Sequence, residues 1–234
     1  MTTTRKLALA AGVLYLVTFA ASIPTLALKE PVVDHVGFIL GRGDQTPVIW
    51  GGFLDFVCAI AGIGTAVALY PVTRRFSRTS AIGFVASRTL EAAILVVGAI
   101  SLLSIVTLRN DAVGGDTSSL LTTGRSLVAL HDWSFLFGPG FMPAVNAVFL
   151  ATVMYRFRLV PRFIPVMGLI GAPLLFASSM ATMFGGHGQV SDTATLFALP
   201  IAAWELSLGV YLTCKGFQRS IPADIPAASP ALAA

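Results

Sequence analysis

Charge is what this sequence has least of. Only 11% of its 234 residues are Asp, Glu, Lys or Arg, where a soluble domain carries about 25%. With 56% hydrophobic residues and a mean hydropathy of +0.83, that scarcity excludes a soluble globule of this size, a disordered chain and a collagen. Cysteine is scarce too. Cys58 and Cys214 stand in different apolar segments without a C-x-x-C spacing, which excludes a disulfide scaffold and a thiolate metal pair. Histidine is limited to His35, His131 and His187. No His-x-x-x-His or Glu-x-x-His falls on an apolar run, so neither a metal nor another cofactor is expected. No Gly-x-Ser-x-Gly elbow occurs, and Gly62-x-Gly64 and Gly138-x-Gly140 lack the strand–turn–helix setting of a phosphate loop. The net charge of +4 comes from short Arg/Lys clusters between apolar runs rather than from one basic face, so no nucleic-acid partner is expected.

What is present is a series of long apolar runs. About 20 such residues cross a bilayer core of roughly 30 Å. Six runs qualify: Leu7 to Leu28, Val48 to Val72, Thr79 to Leu108, Ser126 to Met154, Phe163 to Phe184 and Thr195 to Cys214. The first is longer than the apolar region of a signal peptide and is read as a retained helix. The fold class is therefore all-α, a polytopic transmembrane bundle of six spans. Residues 1–216 form one domain, and 217–234, with three prolines, form a loose tail. Ten Lys and Arg fall on the side of Arg5, Arg74, Arg156 and Lys215, and four on the side of Lys29, Arg42, Arg109 and Arg125. The positive-inside rule then puts both termini in the cytoplasm, in a multi-pass protein of the plasma membrane.

Several segments together resemble a known family. They are Arg5 with Ala-Gly-Val-Leu-Tyr-Leu, Leu54-Asp55 with a downstream Ala-Leu-Tyr-Pro, Ser87-Arg88 with Glu91-Ala-Ala, His131-Asp132-Trp133, Gly138-Pro139-Gly140, and Val160-Pro161-Arg162 leading into Gly168. In order and spacing they are similar to a bacterial membrane family catalogued as domain of unknown function 4386. The resemblance implies a multi-span fold in a bacterial inner membrane and no chemistry.

Function is sought in the ionisable residues inside the spans, because each costs about 2.5–3.5 kcal/mol at the bilayer centre on insertion scales. Arg88 and Glu91 are three apart and share a helix face. Asp55 lies on the second span, and Glu205, beside Trp204, is near the middle of the sixth. On this reading three carboxylates share the single cation Arg88. They cannot all stay ionised in a dry bundle, so a polar cavity is expected, with Glu205, far from any cation on its own span, carrying a proton. His131 and Asp132 are read either as a helix cap next to the interfacial Trp133 or as closing the outer end of the cavity near Asp55. Gly138-Pro139-Gly140 should kink or break the fourth span. Ser87, Ser101 and Ser104 should bond to their own helix.

Three functional readings follow. The first is a cavity that binds a membrane lipid or small apolar ligand, and possesses acid–base groups for intramembrane catalysis: Asp55, Glu91 and Glu205, with Arg88, His131, Asp132 and Trp204 as ligand contacts. The second is a small proton-coupled transporter using the same carboxylates as relays. The third is a membrane scaffold without chemistry. The sequence leaves oligomeric state and ligand identity open.

Overall fold

The computed structural model describes residues 1–111 and 116–218. They form α1 (Thr3–Val33), a 3-10 turn (Val36–Leu40), α2 (Thr46–Thr73), α3 (Arg78–Asp111), α4 (Thr117–Phe135), a π-helical turn (Leu136–Phe141), α5 (Met142–Arg156), α6 (Phe163–Met183) and α7 (Asp192–Cys214). No strand occurs among the described residues. α4, the π turn and α5 run on as one span, Thr117–Arg156, so six helical segments are long and apolar enough to cross a membrane. Most of the 217–234 tail lies outside the described residues. Up to Gln218 the chain stays packed: Phe217 rests on the core, and the Gln218 N–H donates to the Leu159 carbonyl.

Apolar residues form these helices, and polar residues extend them beyond the apolar runs. α4 starts nine residues before the expected Ser126, since Thr117–Arg125 is polar yet helical. Asp116 caps it by accepting from the Ser118 and Ser119 backbone N–H groups, which satisfies donors at the helix start. The hydrogen bonds, with the Ser118 hydroxyl foremost, hold the Asp116 carboxyl below its ordinary range. His131 is thus fourteen residues into α4 and is not its cap, which corrects the capping reading. α1 also continues past Leu28, through Lys29 and Pro31 to Val33.

The helices close a ring in the order α1, α2, α3, α5, α6, α7 and back to α1, with α4 beside α3. Bulky apolar residues face outward, among them Phe53, Phe56, Ile60 and Val67 on α2 and Phe163 and Ile170 on α6. That inversion suits lipid as the surrounding solvent. Inside, a large apolar cluster of Ala11, Tyr15, Leu69, Phe84, Leu150 and Leu208, among others, fills the end where α1 begins and α7 finishes. A smaller cluster of Val32, Phe38, Val48, Leu102 and Ile105 fills part of the far end.

Two arginines fasten these ends. Arg5 donates to the carbonyls of Leu212, Thr213 and Cys214 at 2.7, 2.7 and 3.2 Å, satisfying orphan acceptors at the end of α7. Arg109 donates to the carbonyls of Gly41, Arg42 and Gly43, which pins the α1–α2 loop to the end of α3. Between Gly12 and Gly209, α1 and α7 come so close that a Cβ on Gly12 would collide with Thr213 and with the backbone of Gly209. This contact locks the two helices together in the half where α1 begins and α7 finishes.

Candidate functional site

Between the two apolar clusters the ring encloses a cavity of about 480 Å³. That is within the roughly 300–1,000 Å³ typical of ligand sites. Asp55 from α2, Arg88 and Glu91 from α3, and Glu205 from α7 all line it. The four intramembrane charges singled out in the sequence therefore meet in one place. The rest of the wall is mostly apolar, with Phe19, Ile23, Leu26, Leu95, Phe135 and Ile201 among its members.

The charges are arranged in two tiers. Nearer the far end, the Lys29 ammonium donates to Asp55 Oδ2 at 3.0 Å, and both side chains are 4% exposed. Deeper in the bundle, Arg88 places one terminal nitrogen 2.8 Å from Glu91 Oε2 and the other 3.2 Å from Glu205 Oε1. Asn146 Nδ2 donates to the same Glu91 oxygen at 2.6 Å. The Arg88 guanidinium also lies 5.4 Å from the centre of the Tyr15 ring, within cation–π range. Arg88 is buried, and its Nε has no hydrogen-bond partner among the described residues.

These contacts correct the charge count made from sequence. The cavity carboxylates have two cations, not one, because α1 carries Lys29 into the bundle. The Arg88–Glu91 pair is present, as the i,i+3 spacing implies. Glu205 is not isolated from cations, for it shares Arg88 with Glu91. Sequence reasoning missed Lys29, Asn146 and Tyr15. Lys29 stands one residue past the end of the first apolar run, where Pro31 reads as a stop; Asn146 is an amide inside an apolar run, which was signal enough to find it.

The remaining sequence candidates sit elsewhere. His131 is buried, with Nδ1 3.1 Å from Asp132 Oδ1, its ring stacked on Phe135. Phe135 lines the cavity, but neither His131 nor Asp132 is among the lining residues. Asp132 instead borders a separate space of about 170 Å³ with His35, Phe38 and Arg125. Trp204 is 2% exposed and packs across Gly168, where a Cβ would sit 2.8 Å from its indole. It is part of the α6–α7 core.

Local structure shapes the cavity wall. Gly138-Pro139-Gly140 neither breaks nor simply kinks the fourth span but widens it into the π turn, a common form at functional sites. Pro139 and Pro143 border the cavity, and the Ser179 hydroxyl donates to the Gly140 carbonyl at 3.0 Å. Ser87, Ser101 and Ser104 donate to the carbonyls of Phe84, Gly98 and Ile100 on their own helix. On the far-end half of α1 and α7, the lining residues Ser22, Ile23, Leu26 and Thr195 are also exposed on the outside of the bundle. The cavity thus opens sideways between these helix halves, at the level of Pro24 and Pro200.

A family model described as Domain of unknown function (DUF4386) matches residues 10–216. No curated protein and no solved structure matches the chain.

Proposed function

The chain belongs to the DUF4386 family, a domain of unknown function, and from that premise and its six apolar helices we propose that its cavity binds the apolar chain and polar head of a lipid-like molecule taken from the membrane. One observation carries this reading: a mostly apolar space of about 480 Å³ has charged groups on its inner wall and a lateral opening between α1 and α7. An apolar chain fits the wall of Ile23, Leu26 and Leu95, and a polar head fits the Arg88 tier. If the bound molecule reacts, Glu205 and Glu91 supply the acid–base groups, held at a fixed spacing by the guanidinium between them. The termini are taken as cytoplasmic, which makes the lateral opening face the outer half of the plasma membrane. Labelling of single cysteines at Ser77 and Gln45 in intact cells tests this; external labelling at Ser77 contradicts it.

Photolabelling tests the binding itself. The protein is placed in phosphatidylcholine nanodiscs with an alkyl-diazirine dodecanol, and the labelled peptides are mapped. Label is expected on Ile23, Leu26 and Ala198, and Ala198→Phe, which projects a ring into the cavity, should abolish it. Equal labelling of the outward residues Val67 and Phe163, unchanged by Ala198→Phe, would show only bulk lipid contact. The proton-coupled transporter is the second reading, favoured by the π turn beside the cavity. It requires the apolar cluster around Tyr15, Leu69 and Phe84 to part so that the cavity opens toward the end where α1 begins and α7 finishes.

A further inference from the structure

The deeper tier specifies a head group. Arg88 binds Glu91 and Glu205 through its two terminal nitrogens, so the two carboxylates stand side by side with one cation between them. Each uses one oxygen for that contact, and the Asn146 bond falls on the same Glu91 oxygen. Glu205 Oε2 and Glu91 Oε1 keep no described protein partner. Their side chains are the more open ones of the cavity charges, at 21% and 15% exposure against 4–5% for Lys29, Asp55 and Arg88. With both carboxylates ionised the tier therefore carries one net negative charge and two unclaimed acceptor oxygens, inside an otherwise apolar wall.

We infer that the ligand's head is a protonated primary amine held between Glu205 and Glu91, with its alkyl chain directed along Ile23 and Leu26 toward the gap between α1 and α7. An ammonium brings the tier to neutrality and donates N–H bonds to both free oxygens, the charge-assisted type that is stronger than its neutral counterpart. A carboxylate or phosphate head would set a third acidic group beside two carboxyls that already share one cation. An alcohol brings no cation and leaves the compensating proton in place, and a quaternary ammonium has the charge but no N–H to donate. Without ligand, a proton supplies the same compensation. The amine arrives already protonated and displaces that proton, so one proton leaves the protein for each amine bound. The groups that face Glu205 are Arg88 and Glu91 from α3 and Tyr15 from α1; Asp55 and Cys58 line the same cavity from α2, Asn146 reaches Glu91 from α5, and α6 contributes Leu175.

This inference rests on the cavity being a ligand site, and the test separates the two. Dodecylamine, dodecyltrimethylammonium and dodecanol are titrated calorimetrically into phosphatidylcholine nanodiscs with and without the protein, in buffers of different ionisation enthalpy. Dodecylamine should bind at least about tenfold tighter than either other probe, equivalent to about 1.4 kcal/mol, with release of about one proton. Glu205→Gln should erase the preference of the amine over dodecanol, and Glu91→Gln serves where the first variant does not fold. If dodecanol or the trimethylammonium binds as tightly as the amine, the head-group assignment is wrong and the cavity reading stands. If none of the three binds saturably, both fall.

Discussion

The Lys29–Asp55 pair, through Asp55, and the Arg88–Glu91–Glu205 cluster border one cavity, yet they differ in count and in closure. The first matches one cation to one carboxylate, and both members are almost fully buried. The second sets two carboxylates against one guanidinium and leaves both of them open to the cavity. A balanced, closed pair offsets its own desolvation and gives a ligand nothing to neutralise. An unbalanced, open cluster keeps a charge that something else must meet. We read the far-end tier as a clasp between α1 and α2 and the deeper tier as the site.

The variants that break this comparison differ in size. The largest effect is expected from Arg88→Met, which leaves two carboxylates without a cation. Breaking a buried pair costs about 3–5 kcal/mol, and this variant should lie at the upper end in thermal or denaturant unfolding in detergent. Combining it with Glu91→Gln and Glu205→Gln should restore most of the loss. Lys29→Met comes next, toward the lower end of the same range, since it strands only one carboxylate. Adding Asp55→Leu should recover stability; a double variant as unstable as the sum of its singles would show that the residues are not partners.

The sharpest contrast is between two conservative changes. Glu205→Gln keeps an acceptor for Arg88 and replaces a carboxyl that carries a proton when no ligand is bound, so its cost should stay below about 1 kcal/mol, the size of one ordinary hydrogen bond. Asp55→Asn removes the carboxylate paired with Lys29 in the far-end tier and should cost clearly more. The smallest effect lies outside the cavity. Asp116→Ala should fray the first turn of α4, seen as faster hydrogen exchange at Ser118 to Leu120, with the rest of the bundle unchanged. Because the Asp116 carboxyl is held below its ordinary range, its capping contribution is complete above that range and is lost as pH falls through the lowered value.

The two tiers also differ in how far they were legible. Arg88 and Glu91 are close in sequence, and helical geometry alone brings them together. The Glu205 contact joins α3 to α7, which no local periodicity reveals, and its charge looks solitary because the i,i+3 spacing already assigns Arg88 to Glu91. Lys29 was lost to a boundary: hydropathy falls at Leu28, whereas the helix runs on to Val33, because a long side chain can turn inward to a carboxylate instead of ending the span. The six spans were readable because apolar composition dictates them. The start of α4 was not, since Thr117–Arg125 forms helix through its Asp116 cap rather than through apolarity. Gly138-Pro139-Gly140 announced an irregular backbone, but its π form depends on tertiary partners such as Ser179.

The most direct test of the difference between the tiers is an infrared measurement of the carboxyl C=O stretch at neutral pH, before and after dodecylamine. The account predicts a protonated carboxyl in the protein alone. Its proton sits on Glu205, which has one contact to Arg88, rather than on Glu91, which accepts from both Arg88 and Asn146. The band should vanish in Glu205→Gln, persist in Asp55→Asn, and disappear when dodecylamine saturates the cavity. A wild-type protein without that band, or a band lost with Asp55→Asn and kept with Glu205→Gln, would contradict it.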